Sequence, residues 1–497
     1  MGAAVASAVG YSTQASATGM RNSSILDQSN ELANLDLHQA AALVRQKKVS
    51  PVQLTQACIA RIEALDPVLN AFITVTADSA LAQARQAEAE LQRGIWRGPL
   101  HGIPVALKDL IDTAGIRTTA ASALFKNRIP REDAVVVQKL RKAGAVFLGK
   151  LNMHEVAFGP TTRKTSFFGP VNNPWGTERI SGGSSGGSGA AVAAGLCFAA
   201  LGSDTGGSIR QPAAFCGVVG LMPTYGRVST RGTLPVSWSA DHIGPMTRSV
   251  VDAATVLQVI AGHDPDESTS YNMPIDDYAG ALRQSRIMRI RVGLPKKLFF
   301  EALDPGIKLA MDHAVSVFVK LGAEIREVEV PGTSHRTVIQ AEAYAYHSEM
   351  ISKTPELYLP ETLSKLRLGA NVDMQTYMRA RLSLDQLRRT APTIFKQVDL
   401  LLTPTTPVPP PKTTELPSTF DEVMTNDGVM WRNTRPFNLL AFPSISIPCG
   451  FTDLGMPIGL QLSAAPWQEL TLLKAAHAYQ QATNWHSRRP TITVARP

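Results

Sequence analysis

The chain has 497 residues, 44% of them hydrophobic and 18% charged, with a formal net charge of +8. That balance supports a sizeable buried core and excludes a globally disordered chain. Its four cysteines, Cys58, Cys197, Cys216 and Cys449, are far apart and form no CxxC pair, which excludes a disulfide framework or a zinc site.

The first stretch, "GAAVASAVGYSTQASATG", resembles the apolar region and cleavage site of an export signal, but no basic residue precedes it. Residues 1–34 are therefore read as a tail of a cytoplasmic protein, with a trimmed export signal over 2–18 as the alternative. Folded patterning follows as one domain over 35–490. "SPVQLTQACIARIEAL" predicts a helix with Ser50 as N-cap and Pro51 in its first turn. "SALAQARQAEAELQRG" predicts a second, ended by Gly94.

Strands then alternate with helices. "GIPVALKDL" (102–110) is a strand, "DAVVVQKLRKAG" (133–144) a helix closed by Gly144, and "AVFLGKLN" the next strand. A helix over 304–322, opened by Asp304 and Pro305, leads to the strand "AEIREVEV"; late strands lie at 398–407, 444–451 and 457–464. The alternation predicts an α/β fold: a single large domain with a mixed, mostly parallel central sheet covered by helices on both faces. The proline-rich piece at 404–417 reads as a surface loop. No run reaches the eighteen or so apolar residues of a membrane span. The densest basic patch (283–297) has apolar residues between its charges, so a strand with a solvated loop explains it without nucleic acid.

Two glycine-serine clusters carry the chemistry: "RISGGSSGGSGAAVAAGL" (179–196) and "LGSDTGGSIRQP" (201–212). The apolar strand 196–203 and a helix over 208–217 place Ser208 on a strand-to-helix turn. Backbone N–H groups of Thr205, Gly206, Gly207 and Ser208 converge there, as an oxyanion requires. "GGSSG" and "GSSGG" match the G-x-S-x-G pattern, but the text upstream is polar and turn-like, so the nucleophile-elbow context fails. S-x-x-K and H-E-x-x-H are absent. Within "GIPVALKDL", Ile103, Val105 and Leu107 share one face and Pro104, Ala106 and Lys108 the other, with Asp109 directed away from Lys108. A lysine there stands at a sheet edge or is desolvated, and bringing its pKa from about 10.4 to near 7 takes roughly 4–5 kcal/mol. Neutral, it is a general base.

"LKDL", "SGGSSGGSGAAVAAG" and "GSDTGGSIRQPAAFCGVVGLMPTYGRVS", in that order, resemble the amidase signature family. The likeness runs from about residue 35 to 486 and includes "GKLNMHEVAFG", "DHIGPMTRSV" and "FPSISIPCGF". It implies a Ser–cis-Ser–Lys triad: Ser208 accepts the acyl group, Ser184 bridges on a non-proline cis peptide, and Lys108 is the base. Thr205, Gly206 and Gly207 supply the oxyanion hole, while Asp204, Arg210 and Ser185 support the loops. It implies no metal or cofactor, a small-molecule amide as substrate, no nucleic-acid or membrane partner, and a monomer or homodimer.

Within that family the chain resembles a free-standing amidase cleaving small aliphatic or aryl amides, anilides or carbamates. The alternatives are the A subunit of glutamine-dependent tRNA amidotransferase, a carbamate or ester hydrolase, or a scaffold without activity. Those A subunits carry an acidic residue just before a P-x-N element to hold the amino group of glutamine. Here Trp431 stands five residues before Pro436 and Arg432 follows it. The segments 340–380 and 418–440 are expected to line the pocket; Met153, Tyr346 and Trp431 are its candidate residues, with Tyr344, Met374, Tyr377, Met424 and Phe437 nearby or in the core.

Overall fold

The structure is a computed structural model that describes residues 31–159, 166–282, 289–331, 336–417 and 419–492. Residues 1–30 of the expected tail, and 283–288 of the basic patch, lie outside the described residues. Residues 31–34 differ from the expected tail: they are helical, and Ala33 is buried.

The first seven strands are β1 (Phe72–Val75), β2 (Pro104–Lys108), β3 (Val146–Leu151), β4 (Asn172–Asn173), β5 (Gly176–Ile180), β6 (Ala199–Asp204) and β7 (Val219–Met222). The second half adds β8 (His242–Thr247), β9 (Arg291–Leu294), β10 (Glu324–Glu327), β11 (Leu400–Pro404), β12 (Ser444–Phe451) and β13 (Pro457–Ala464). Among the described residues eleven strands form one mixed sheet, in the order β1-β3-β2-β6-β8-β7-β12-β13-β11-β9-β10. Parallel pairs join β3, β2 and β6 and, farther along, β11, β9 and β10. Antiparallel pairs connect these two blocks and add β1. β2, β3 and β6 are buried at every position. Successive side chains point to opposite faces, so helices cover the sheet on both sides, as the alternation predicts.

Local rules hold at the helix starts. Ser50 Oγ accepts from the N–H groups of Val52 and Gln53, with Pro51 in the first turn of Pro51–Leu69. Asp304 caps Pro305–Lys320 in the same way.

The parallel pairing of β2 with β6, in register at Leu107 and Leu201, brings the carboxyl ends of both strands together. The helix Gly186–Ala193 packs on β6 and on the helix Arg210–Cys216. Both serine-bearing loops thus lie at the carboxyl ends of interior strands, where open α/β folds bind ligands. A strand does precede the first cluster, contrary to the turn-like reading of that text, but β5 pairs with β4 and, at Arg179, bridges to Lys412, outside the central sheet.

Candidate active site

Lys108, the last residue of β2, is fully buried. Its Nζ donates to Ser184 Oγ at 2.7 Å and to Ser203 Oγ at 2.8 Å. Burial pushes its pKa down to about 7, against the opposing pull of Asp204 and Asp241. Asp109 is not its counter-ion: Asp109 accepts from the Thr119 backbone N–H, and its charge acts on Lys150. An amine in this condition loses and regains a proton near neutrality.

Ser184 follows a cis peptide bond after Gly183. Its loop is tied down on several sides. Gly183 N–H donates to Gln211 Oε1 at 3.0 Å, His154 N–H to the Ser184 carbonyl at 3.0 Å, and Ser185 N–H to the Ser208 carbonyl at 3.1 Å. Ser185 Oγ meanwhile donates to the Ser203 carbonyl and accepts from Ser203 N–H, so it ties the first cluster to β6. His154 is buried and its pKa falls to about 3, mainly through desolvation, so it stays neutral here as a structural residue.

Ser208 sits on the turn between β6 and the helix Arg210–Cys216. Its Oγ has no hydrogen-bond partner among the described residues, and the backbone contact between the two serine loops is Ser185 N–H donating to the Ser208 carbonyl, so the structure does not join Ser208 Oγ to Ser184. The turn is organised by Asp204, whose carboxylate accepts from Gly207, Ile209 and Arg210 N–H groups and from the Arg210 guanidinium. Asn438 Nδ2 adds a contact at 2.8 Å. Burial alone would raise the Asp204 pKa, but the Arg210 charge and these hydrogen bonds outweigh it and hold the group below the ordinary carboxylate range. Arg210 in turn reaches Gln461, Asn438 and the Thr434 carbonyl.

This network corrects one expectation. Gly207 N–H is committed to Asp204 Oδ1 at 2.6 Å and is not a free oxyanion donor. The N–H groups of Thr205, Gly206 and Ser208 have no acceptor among the described residues. What Gly207 contributes is close approach. At φ +133° it passes so near Thr434 that a Cβ would lie 2.1 Å from Thr434 Oγ1.

A narrow cavity, with room of about 50 Å³, opens beside Ser208, Thr205 and Gly206. Trp431 and Met424 line it, together with Phe158, Ile339 and Leu368. Met153 and Tyr346 do not: Met153 belongs to the buried core, and Tyr346 is exposed. Tyr344 packs on the main core and Phe437 on Phe299, Tyr377 binds Glu342, and Met374 is exposed. An arginine also lines the cavity. Arg432 turns away to the Glu301 carbonyl, whereas Arg435, one helical turn beyond Trp431, lines the wall.

Sequence reasoning missed Ser203, Asp241, Lys365, Asp427 and Arg435. Asp241 accepts from Thr205 Oγ1 at 2.5 Å and from the Val236 and Ser237 N–H groups, and burial raises its pKa to about 6. Lys365 pairs with Asp427 at 2.9 Å and Glu361 at 2.7 Å. One group among the described residues, Asp36, His38 and Asp252, brings cation-binding atoms together. Asp252 there already accepts from the Leu37 and His38 N–H groups and contacts the His38 ring.

Known proteins resemble the chain over nearly its whole length. The A subunit of glutamyl-tRNA(Gln) amidotransferase from Carboxydothermus hydrogenoformans is 43% identical over 93% of this chain and 100% of that protein. Among solved structures, native peptide amidase from Stenotrophomonas maltophilia is 33% identical, with a TM-score of 0.79 over 92% of this chain and 98% of that one. 6-Aminohexanoate cyclic dimer hydrolase complexed with substrate is 30% identical, with a TM-score of 0.83 over 92% and 99%. The Amidase family model matches residues 53–473, and the chain belongs to that family.

Proposed function

We propose that the protein is a free-standing amide hydrolase that works through an acyl-enzyme on Ser208. The observation that carries this is the fully buried Lys108 amine, pKa about 7, within 2.7 Å of Ser184. In its neutral form Lys108 takes the Ser184 proton as Ser184 takes that of Ser208, leaving Lys108 as ammonium. Ser208 Oγ bonds to the amide carbonyl carbon, and the N–H groups of Thr205, Gly206 and Ser208 hold the oxyanion. The ammonium returns its proton through Ser184 to the nitrogen as the C–N bond breaks. Water then repeats the sequence on the ester, releasing the acid and restoring Ser208. The Ser184–Ser208 hydrogen bond is the contact that substrate binding must close, as catalytic hydrogen bonds commonly tighten on binding.

A second function, ammonia release for a tRNA-linked reaction, is favoured by the 43% identity to an amidotransferase A subunit. Against it, Trp431 occupies the position where those subunits carry the acid, and the cavity carboxylate, Asp427, is already paired with Lys365. The deciding assay sets wild type and Ser208→Ala against aliphatic amides, anilides, carbamates, aryl esters and glutamine. Amide hydrolysis lost in the variant is expected. Glutamine as the sole substrate, in a protein that co-purifies with other subunits, would establish the second function instead.

A further inference from the structure

The cavity wall beside Ser208 carries two guanidinium groups, Arg435 and Arg336. Arg435 lies over Trp431, its Cζ 4.9 Å from the ring centroid. Its Nε is 3.6 Å from where a Cβ on Gly206 would stand, so the cation sits directly against the turn that bears Ser208. Among the described residues neither side chain has a hydrogen-bond or ion-pair partner. The internal segments outside those residues, 160–165, 283–288, 332–335 and 418, contain no Asp or Glu to supply one.

The remaining charges at this wall do not neutralise them. Lys365 is shared between Asp427 and Glu361. Arg336, Arg435 and Lys365 against Asp427 and Glu361 leave one positive charge in excess. The Trp431 Nε1–H is also buried without an acceptor among the described residues. A guanidinium among Phe158, Ile339, Leu368 and Met424 is poorly hydrated and costs free energy until an anion completes it. Its planar fork matches a carboxylate in two parallel hydrogen bonds, and the indole face holds the plane in place.

We propose that this cavity selects amides that bear a carboxylate, and that Arg435, with Arg336 beside it, binds that carboxylate while Ser208 faces the amide carbonyl. The proposal rests on the amide-hydrolase function above and names its substrate class. An ammonium such as that of glutamine finds no free counter-charge here, because Asp427, the carboxylate among the lining residues, already holds Lys365. The substrate carboxylate belongs either to the acyl half, as in succinamate, or to the amine half, as in N-acetylglycine, and the two are tested as separate arms.

Binding is measured by calorimetry in Ser208→Ala, which cannot be acylated, using succinamate against butyramide and N-acetylglycine against N-propylacetamide. In one arm the anionic member is expected to bind about ten- to a hundredfold tighter, the range of a charge-assisted pair. The preference should fall toward unity in S208A/R435M and with rising ionic strength. Equal binding in both arms overturns the proposal, as does a preference that survives both R435M and R336M. If R435M does not fold, R336M and the salt dependence decide in the same way. Turnover by wild type separates the two claims. Selective binding without hydrolysis of any amide overturns the hydrolase function and leaves the carboxylate site, whereas hydrolysis without anionic preference overturns the site alone.

Discussion

Ser203 Oγ lies 2.8 Å from Lys108 Nζ, beside the Ser184 hydroxyl at 2.7 Å. The amine is thus suspended between the last turn of one loop and the end of β6. An acceptor for an ammonium N–H favours the charged form, so removing Ser203 Oγ should lower the Lys108 pKa further. Ser203→Ala is expected to move the acid limb of the kcat/KM profile to lower pH and to cut plateau kcat about tenfold, with KM little changed. Ser203→Thr should restore the limb. A limb that stays in place would remove Ser203 from any positioning role.

Lys108 itself ties activity to pH. Hydrolysis should rise through about pH 7 as the amine deprotonates, and Lys108→Met should lose about 10²–10⁴-fold in kcat. The same burial costs stability. The unfolded chain protonates this lysine below 10.5, the folded chain only below about 7, a difference of about 5 kcal/mol. That cost is full below pH 7 and recedes as pH rises to 10.5. Lys108→Met is therefore expected to melt higher than wild type at pH 7, with the gap narrowing at pH 9–10, measured by calorimetric scans.

Asp204 and Arg210 form the opposite case, a buried pair that the turn cannot lose. Asp204→Asn should destabilise the fold by about 3–5 kcal/mol, because Arg210 is left as an uncompensated buried charge. Asp204 has a depressed folded pKa, so its contribution is present above the ordinary carboxylate range and lost as pH falls well below it. Urea titrations of both proteins at pH 7 measure the difference.

Gly207→Ala should abolish activity and reduce the yield of folded protein. The new Cβ meets Thr434 Oγ1 at 2.1 Å and Cβ at 2.7 Å, on a backbone at φ +133° that disfavours any side chain. Thr434→Ala removes the hydroxyl but neither the Cβ contact nor the backbone cost, so the double variant should not recover. Recovery would locate the glycine requirement in the hydroxyl alone.

Much of this was legible in residue order because local rules carried it. The strand ending in Lys108, the strand-to-helix turn at Ser208 and the helix caps at Ser50 and Asp304 all follow from patterning over short windows. β7 and β8 escaped: β7 is four residues long, and β8, "HIGPMT", contains the glycine and proline that ordinarily mark turns. Ser203 gave no signal, since a serine near the end of an apolar strand is unremarkable until β2 is paired beside it. The basic wall was invisible for a different reason. Arg336, Lys365 and Arg435 come from three separate segments, and only the fold sets them around one space. The Gly207 N–H was counted as free because its acceptor, three residues earlier, depends on how the carboxylate turns.

The short stretch from Trp431 to Asn438 does two jobs at once. Thr434 and Asn438 hold the Gly206 and Asp204 carbonyls, while Trp431 and Arg435 form the wall that a ligand would touch. Substitutions there trade selectivity against the geometry of the reacting turn. The facing wall of Ile339, Gln340, Leu368 and Met424 carries no such double duty, so drift toward new substrates should accumulate on that side first.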